Sequence, residues 1–288
     1  MTLATPMPGE RLLFAPGVVG HVLGSGPPLL LVHSVNAAAS MAEVRPLCMH
    51  WAATRTVFAI DLPGYGESDR SERLYTPRLM TDALHAANAV IRQRSGVVAV
   101  DALAVSLGCE FLARAAAEQP AAWGRLALVS PTGFMGRKVW RAAPGSTRAM
   151  PWLYNTLARP LWAQALFNGL TRPGVVRYFL QRTWGGKTID ETMWADAVAT
   201  ARAPGARHAP LCFLGGHLFS ADIHTVYEAL RQPVWMSHGV RGDFTDYRGK
   251  AIVAGRPNWR FTVFDSGALP YFEHPAQFNA EFGAFLAG

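Results

Sequence analysis

Residues Val97 to Val105 read Val-Val-Ala-Val-Asp-Ala-Leu-Ala-Val, and the chain then runs Ser106-Leu107-Gly108 into Cys109-Glu110-Phe111-Leu112-Ala113-Arg114-Ala115-Ala116-Ala117-Glu118. The first stretch is β-branched and apolar, which predicts a buried strand. The second is rich in Ala and Leu, which predicts a helix. Only a sharp turn separates them, and a serine sits at its tip. A serine hydroxyl is a poor nucleophile until it is exposed, oriented and deprotonated. A strand-to-helix turn supplies exposure and orientation, provided the residues two before and two after are small enough for strand and helix to pass closely. Ala104 and Gly108 meet that need.

The same alternation extends in both directions. Arg11 to Leu23 predicts a hairpin broken at Pro16-Gly17, and Pro28 to His33 and Arg55 to Asp61 predict buried strands. Thr76-Pro77 is a helix start, with apolar residues at helical spacing up to Ile91 and a stop at Gly96. Leu126 to Ser130, Pro233 to His238 and Trp259 to Asp265 are further strands, and Pro275 opens a closing helix. Strands alternating with helices predict an α/β fold with a mostly parallel sheet and helices on both faces. From about Met135 to Gly215 no strand is expected. That stretch reads as a helical lid dividing the core into 1–134 and 216–288.

Half of the residues are hydrophobic and 16% are charged, enough apolar material for one large core plus a lid. No apolar run reaches the roughly 18–20 residues that span a bilayer. Met1 to Glu10 lacks a basic segment followed by an apolar one, so no secretory leader is expected. Cys48, Cys109 and Cys212 have no redox or metal-ligand spacing. They are expected to be reduced, which points to the cytoplasm, with neither metal nor cofactor. The net charge of +7 is uneven: 135–210 holds eleven Lys and Arg against Asp190, Glu191 and Asp196. A basic face attracts acidic substrates or anionic lipid, or is simply solvated. No nucleic-acid motif accompanies it, so the nucleic-acid-binding class is set aside.

Asp61-Leu62-Pro63-Gly64-Tyr65-Gly66-Glu67-Ser68-Asp69, together with the Ser106 turn, resembles the α/β-hydrolase family, in its lid-containing esterase-like branch. The resemblance covers nearly the whole chain outside the lid. It implies that Ser106 is the catalytic nucleophile and that the backbone N–H groups of Val35 and Leu107 form the oxyanion hole. Leu29 to Asn36 resembles the family's His-Gly segment, with Ser34 in place of the glycine. His33 then braces the loop, and Asn36 is a further donor or a turn residue. Asp243, in Gly239-Val240-Arg241-Gly242-Asp243, aligns with the triad acid, with Asp246 second.

The triad histidine is missing. Gly267, Glu273 and Pro275 align with the family pattern, but its histidine position holds Ala268. Three readings stay open. The histidine was replaced to trap a complex; or another base serves, such as His274, His33 or the substrate; or the site binds without hydrolysing. The lid aromatics, among them Trp140, Trp152, Trp162, Trp184 and Trp194, imply a small-molecule substrate with an apolar moiety. Hydrolysis of a carboxylic ester or related acyl bond through a Ser106 acyl-enzyme is the leading expectation. A non-hydrolytic ligand-binding protein and a lyase or C–C bond hydrolase on the same scaffold are the alternatives. The basic lid raises membrane-surface contact as a further expectation. The oligomeric state is not legible.

Overall fold

The computed structural model describes residues 4–288; Met1 to Leu3, the start of the stretch read for a leader, lies outside them. The strands are β1 Glu10–Ala15, β2 Val18–Leu23, β3 Pro28–Val32, β4 Thr56–Ile60, β5 Val100–Val105, β6 Trp123–Val129, β7 Val234–Gly239 and β8 Trp259–Phe264. They form one sheet in the order β1-β2-β4-β3-β5-β6-β7-β8. β2 pairs antiparallel with both β1 and β4, and every later pairing is parallel. The opening hairpin turns at Gly17, whose φ of 75° lies in the left-handed region that glycine tolerates.

The helices, in chain order, are α1 Arg45–Trp51, α2 Pro77–Ser95, α3 Gly108–Glu118, α4 Pro151–Leu157, α5 Ala163–Leu170, α6 Pro173–Trp184, α7 Glu191–Thr200, α8 His208–Leu214, α9 Ile223–Ala229, α10 Ala251–Ala254, α11 Pro270–Glu273 and α12 Pro275–Ala287. The ends of α2 follow the local chemistry. The Thr76 hydroxyl accepts from the Leu79 amide at 3.3 Å, Pro77 occupies the first turn, and Gly96 closes the helix at φ 67°.

Alternate residues of each parallel strand feed opposite cores, as the two-residue repeat requires. Leu30, Val32, Phe58, Ile60, Ala102 and Ala104 pack under α2, α3 and α9. Leu29, Leu31, Val57, Ala59, Leu103 and Val105 face the other way, toward α1 and the phenylalanines of α12. That second core continues into the inserted helices, where Val176, Leu180 and Trp184 of α6 join it. Between β6 and β7 the described chain is helical, from α4 to α9. The functional consequence is positional: the C-terminal ends of β3, β5, β6, β7 and β8 lie side by side, and the loops leaving them meet at one edge.

Candidate active site

Ser106 stands between the end of β5 and the start of α3 with φ of 52°, one of two non-glycine residues with positive φ among the described residues. This conformation costs on the order of 1–3 kcal/mol and persists only when its surroundings enforce it. Here they do. The Ser106 amide donates to the Val129 carbonyl at 2.8 Å, and its carbonyl accepts from Cys109 at 3.1 Å and Thr132 at 3.4 Å. A Cβ on Gly108 would lie 2.5 Å from the His33 carbonyl oxygen, so the first turn of α3 presses directly on the loop after β3. That is the close approach for which a small residue was required.

Two buried backbone amides lie in the loops after β3 and β5. Val35 and Leu107 are both buried, and neither amide finds an acceptor among the described residues. Buried N–H groups are ordinarily paired. Here two lie unpaired on adjoining loops, one of them directly after the serine.

The candidate bases and acids each have partners of their own. No described imidazole hydrogen-bonds the half-buried Ser106. His33 is fully buried with both ring nitrogens engaged: Nε2 accepts from the Leu62 amide at 3.0 Å, and Nδ1 contacts the Ser34 carbonyl. Burial pushes its pKa down to about 4, so it stays neutral and braces the loop. His274 directs Nε2 to the Asp265 carbonyl at 2.9 Å, at the start of α12. His33 therefore has no free ring nitrogen. Asp243 is a partly exposed partner of the α6 residue Arg182, with Nε to Oδ2 at 2.6 Å and Nη2 to Oδ1 at 2.5 Å. Its amide donates to the Arg182 carbonyl at 3.2 Å, so α6 holds this loop at both backbone and side chain. Asp246 is bound by Arg248, whose hydrogen bonds hold its carboxyl down at about 2.

Ala268 lies in the loop after β8 as the flanking residues anticipate. The Gly267 amide donates to Glu273 at 2.6 Å, the Ala268 amide to the Thr183 carbonyl at 2.9 Å, and Ser130 Oγ to the Ala268 carbonyl at 2.7 Å. The loop carrying Ala268 is thus anchored at three points. Asn36 makes a local turn, its Oδ1 accepting from the Ala38 amide at 2.8 Å.

The comparisons agree with this architecture. The chain matches a family model described as alpha/beta hydrolase fold over residues 27–169. It has the α/β-hydrolase fold. Among solved structures, a serine hydrolase involved in carbazole degradation is 16% identical with a TM-score of 0.73, covering 96% of this chain and 99% of its own. A 2-hydroxy-6-oxo-6-phenylhexa-2,4-dienoate hydrolase from Rhodococcus sp. strain RHA1 is 16% identical with a TM-score of 0.75, covering 96% and 98%. An enol-lactonase from Burkholderia xenovorans LB400 is 16% identical with a TM-score of 0.68, covering 97% and 100%. No curated protein matches the chain.

Within this α/β-hydrolase fold three residues escaped the sequence reading. Ser130, at the end of β6, is the other positive-φ residue, at 48°, and it ties β6 to the Ala268 loop. His238, at the end of β7, stacks on Tyr247 at 4.0 Å and lies 3.0 Å from Lys250 Nζ through Nε2; burial, helped by that lysine, lowers its pKa. Glu43 is buried against the turn that carries Val35. It accepts from both the Ser34 amide and the Ser34 hydroxyl, the latter at 2.8 Å. A serine at the usual glycine position was the only local signal for that partner. Burial pushes the Glu43 carboxyl up to about 7. The folded state therefore binds its proton more tightly than the unfolded chain, and loses stability as pH climbs from about 4.5 through about 7. Glu43→Gln is expected to remove that slope and to exceed the parent by about 1–3 kcal/mol at pH 8. Parallel melts of the two proteins from pH 5 to 8 check this, and matching slopes would count against it.

Proposed function

We propose that this chain accepts an acyl group onto Ser106 from a carboxylic ester or related acyl donor with an apolar moiety, and that it does so slowly, without a histidine base. The observation carrying this reading is the serine held at positive φ between the two unpaired buried amides of Val35 and Leu107. On this reading Ser106 is the nucleophile, the Val35 and Leu107 amides are the oxyanion site, and the proton acceptor is what the chain lacks.

In the proposed reaction Ser106 Oγ attacks the acyl carbon and its proton passes to solvent. The carbonyl oxygen becomes an oxyanion received by the Val35 and Leu107 amides. Collapse breaks the bond to the leaving group, which departs as its anion because no imidazolium protonates it. Good leaving groups are therefore favoured. Water must then attack the acyl-serine without general-base help, so the acyl-enzyme accumulates. In a serine triad, loss of the histidine costs on the order of 10⁶-fold in turnover, and the oxyanion hole and binding retain about 10³–10⁴-fold over water.

Two observations favour a second reading, binding without turnover: Ala268 in the histidine loop and Asp243 held by Arg182. A 4-nitrophenyl ester separates them. Acylation at Ser106 gives a slow burst approaching one nitrophenolate per chain, followed by a much slower steady phase, and Ser106→Ala abolishes the burst. Absence of a burst, or a burst that persists in Ser106→Ala, supports the binding reading. A dienoate with a cleavable C–C bond offers the corresponding trial for the C–C hydrolase alternative, in line with the name of the Rhodococcus neighbour.

A further inference from the structure

The inserted helices carry more positive charge than the rest of the chain can balance locally. Of the eleven Lys and Arg in 135–210, four have acidic partners: Arg141 with Glu228, Arg148 with Glu110, Arg177 with Glu191 and Arg182 with Asp243. The other seven, Arg159 among them, have none among the described residues. One part of this basic segment is also apolar where it meets water. Helix α4 has no fully buried residue, Trp152 on it is 69% exposed, and Leu161 just beyond it is 87% exposed, the highest value of any large apolar side chain described.

These residues lie on one short elbow. Trp152 and Thr156 are a turn apart on α4, linked by Thr156 Oγ donating to the Trp152 carbonyl at 2.9 Å. The Trp162 indole N–H donates to the Thr156 carbonyl at 2.9 Å, folding the elbow before α5 back onto the last turn of α4. Arg159 lies over the Trp162 ring at 5.5 Å from its centroid. From behind, Tyr154 packs edge-on against His217 at 5.0 Å, so the elbow has support. A single exposed leucine needs no explanation. Two tryptophans and a leucine on one short elbow, beside an unpaired arginine and in a segment of net charge +8, do. Indoles and apolar side chains settle at the headgroup boundary, and arginine keeps its charge at the headgroups while its stem lies along the apolar layer. No described helix is long and apolar enough to cross a membrane.

We propose that the α4–α5 elbow is a docking surface for an anionic lipid bilayer, with Trp152, Leu161 and Trp162 entering the headgroup–acyl boundary and Arg159 and the other unpaired lid cations facing the lipid anions. Charge complementarity selects this occupant over a neutral apolar partner. The docking does not depend on Ser106 chemistry.

Co-sedimentation with vesicles tests it, using the full chain at low salt. Phosphatidylcholine vesicles containing about a third phosphatidylserine are expected to capture the protein and phosphatidylcholine alone to leave it in solution. Leu161→Asp combined with Trp152→Ala is expected to weaken capture about tenfold or more. Arg159→Ala is expected to weaken it about fivefold. Because all three side chains are exposed, the variants should keep the parent's circular dichroism, and Leu161→Asp alone and Arg159→Ala, which lie outside the lid aromatics, should keep the nitrophenolate burst, so a loss of capture is separable from a failure at Ser106. No capture by anionic vesicles overturns the proposal, as does undiminished capture of the double variant. Release from vesicles by millimolar glycerophosphoserine would assign the contact to a headgroup pocket and also overturn it. So would the double variant converting a dimer to a monomer in sedimentation velocity, since the face would then cover a second copy.

Discussion

Ala268→His is expected to raise the rate of Ser106 acylation about 10²-fold, and the double variant Ala268→His/Arg182→Ala substantially further. The first gain follows from the loop geometry. Gly267, Glu273 and the carbonyl of Ala268 are already anchored by hydrogen bonds, so a histidine there extends from a fixed base. A positioned base contributes about 10²–10⁴-fold. The lower end applies because Asp243, the carboxylate proposed to orient the new base, is bound in a two-point ion pair by Arg182. In a serine triad the acid alone is worth on the order of 10⁴-fold, most of what the histidine delivers. Removing the Arg182 guanidinium frees Asp243 to orient the new imidazole. Pre-steady-state nitrophenolate release across pH 5 to 9 checks the order of the three rates. The engineered base should also introduce a pH dependence near the histidine range that the parent lacks. A gain below about threefold in both variants would mean that the loop cannot present an imidazole to Ser106.

The second large effect concerns stability. Asp61→Ala is expected to lower stability by about 3 kcal/mol, a substantial share of the 5–15 kcal/mol typical of a folded protein. Asp61 is buried where β4 ends. Its Oδ1 accepts from the Met41 amide and its Oδ2 from the Glu67 amide, both at 2.7 Å, and its carbonyl accepts from Ser68 Oγ at 2.6 Å. Each stranded buried donor costs about 1–3 kcal/mol. The sum is trimmed because alanine also relieves the carboxylate's desolvation, which pushes the Asp61 pKa up to about 6. Gly66 shows how tightly the loop closes, since a Cβ there would lie 1.9 Å from the Asp61 carboxyl. A melting temperature about 6–12 °C below the parent at pH 7 is expected, and a shift under about 2 °C would contradict this role for the carboxylate.

Most of the fold was legible because its determinants are local. Thr76-Pro77 and Gly96 bracket α2 through capping and a left-handed stop, and the alternating residues of β3, β4 and β5 show the two core faces. Asp61 and Gly66 announce a turn whose hydrogen bonds span only a few residues. The Ser106 elbow was legible for the same reason, since the steric demand on Ala104 and Gly108 is set within five positions.

The rest of the site depends on contacts between distant parts of the chain. Arg182 reaches Asp243 across 61 positions, and nothing beside either residue indicates the pairing. His33 read as either brace or base until the Leu62 amide, 29 residues away, was seen to occupy Nε2. Glu43 pairs with Ser34 across a loop, where the departure from glycine is the only trace. The strain at Ser130 lies in φ, which residue type does not encode for serine.

The central claim is that Ser106 is held ready to take an acyl group although no imidazole serves it. The most direct measurement is peptide mapping by mass spectrometry after incubation with a 4-nitrophenyl ester. The expected result is a single acyl adduct on the peptide containing Ser106, formed slowly, persisting after the ester is removed and absent from Ser106→Ala. An unmodified Ser106, or an adduct of equal yield elsewhere in the Ser106→Ala protein, would contradict the account.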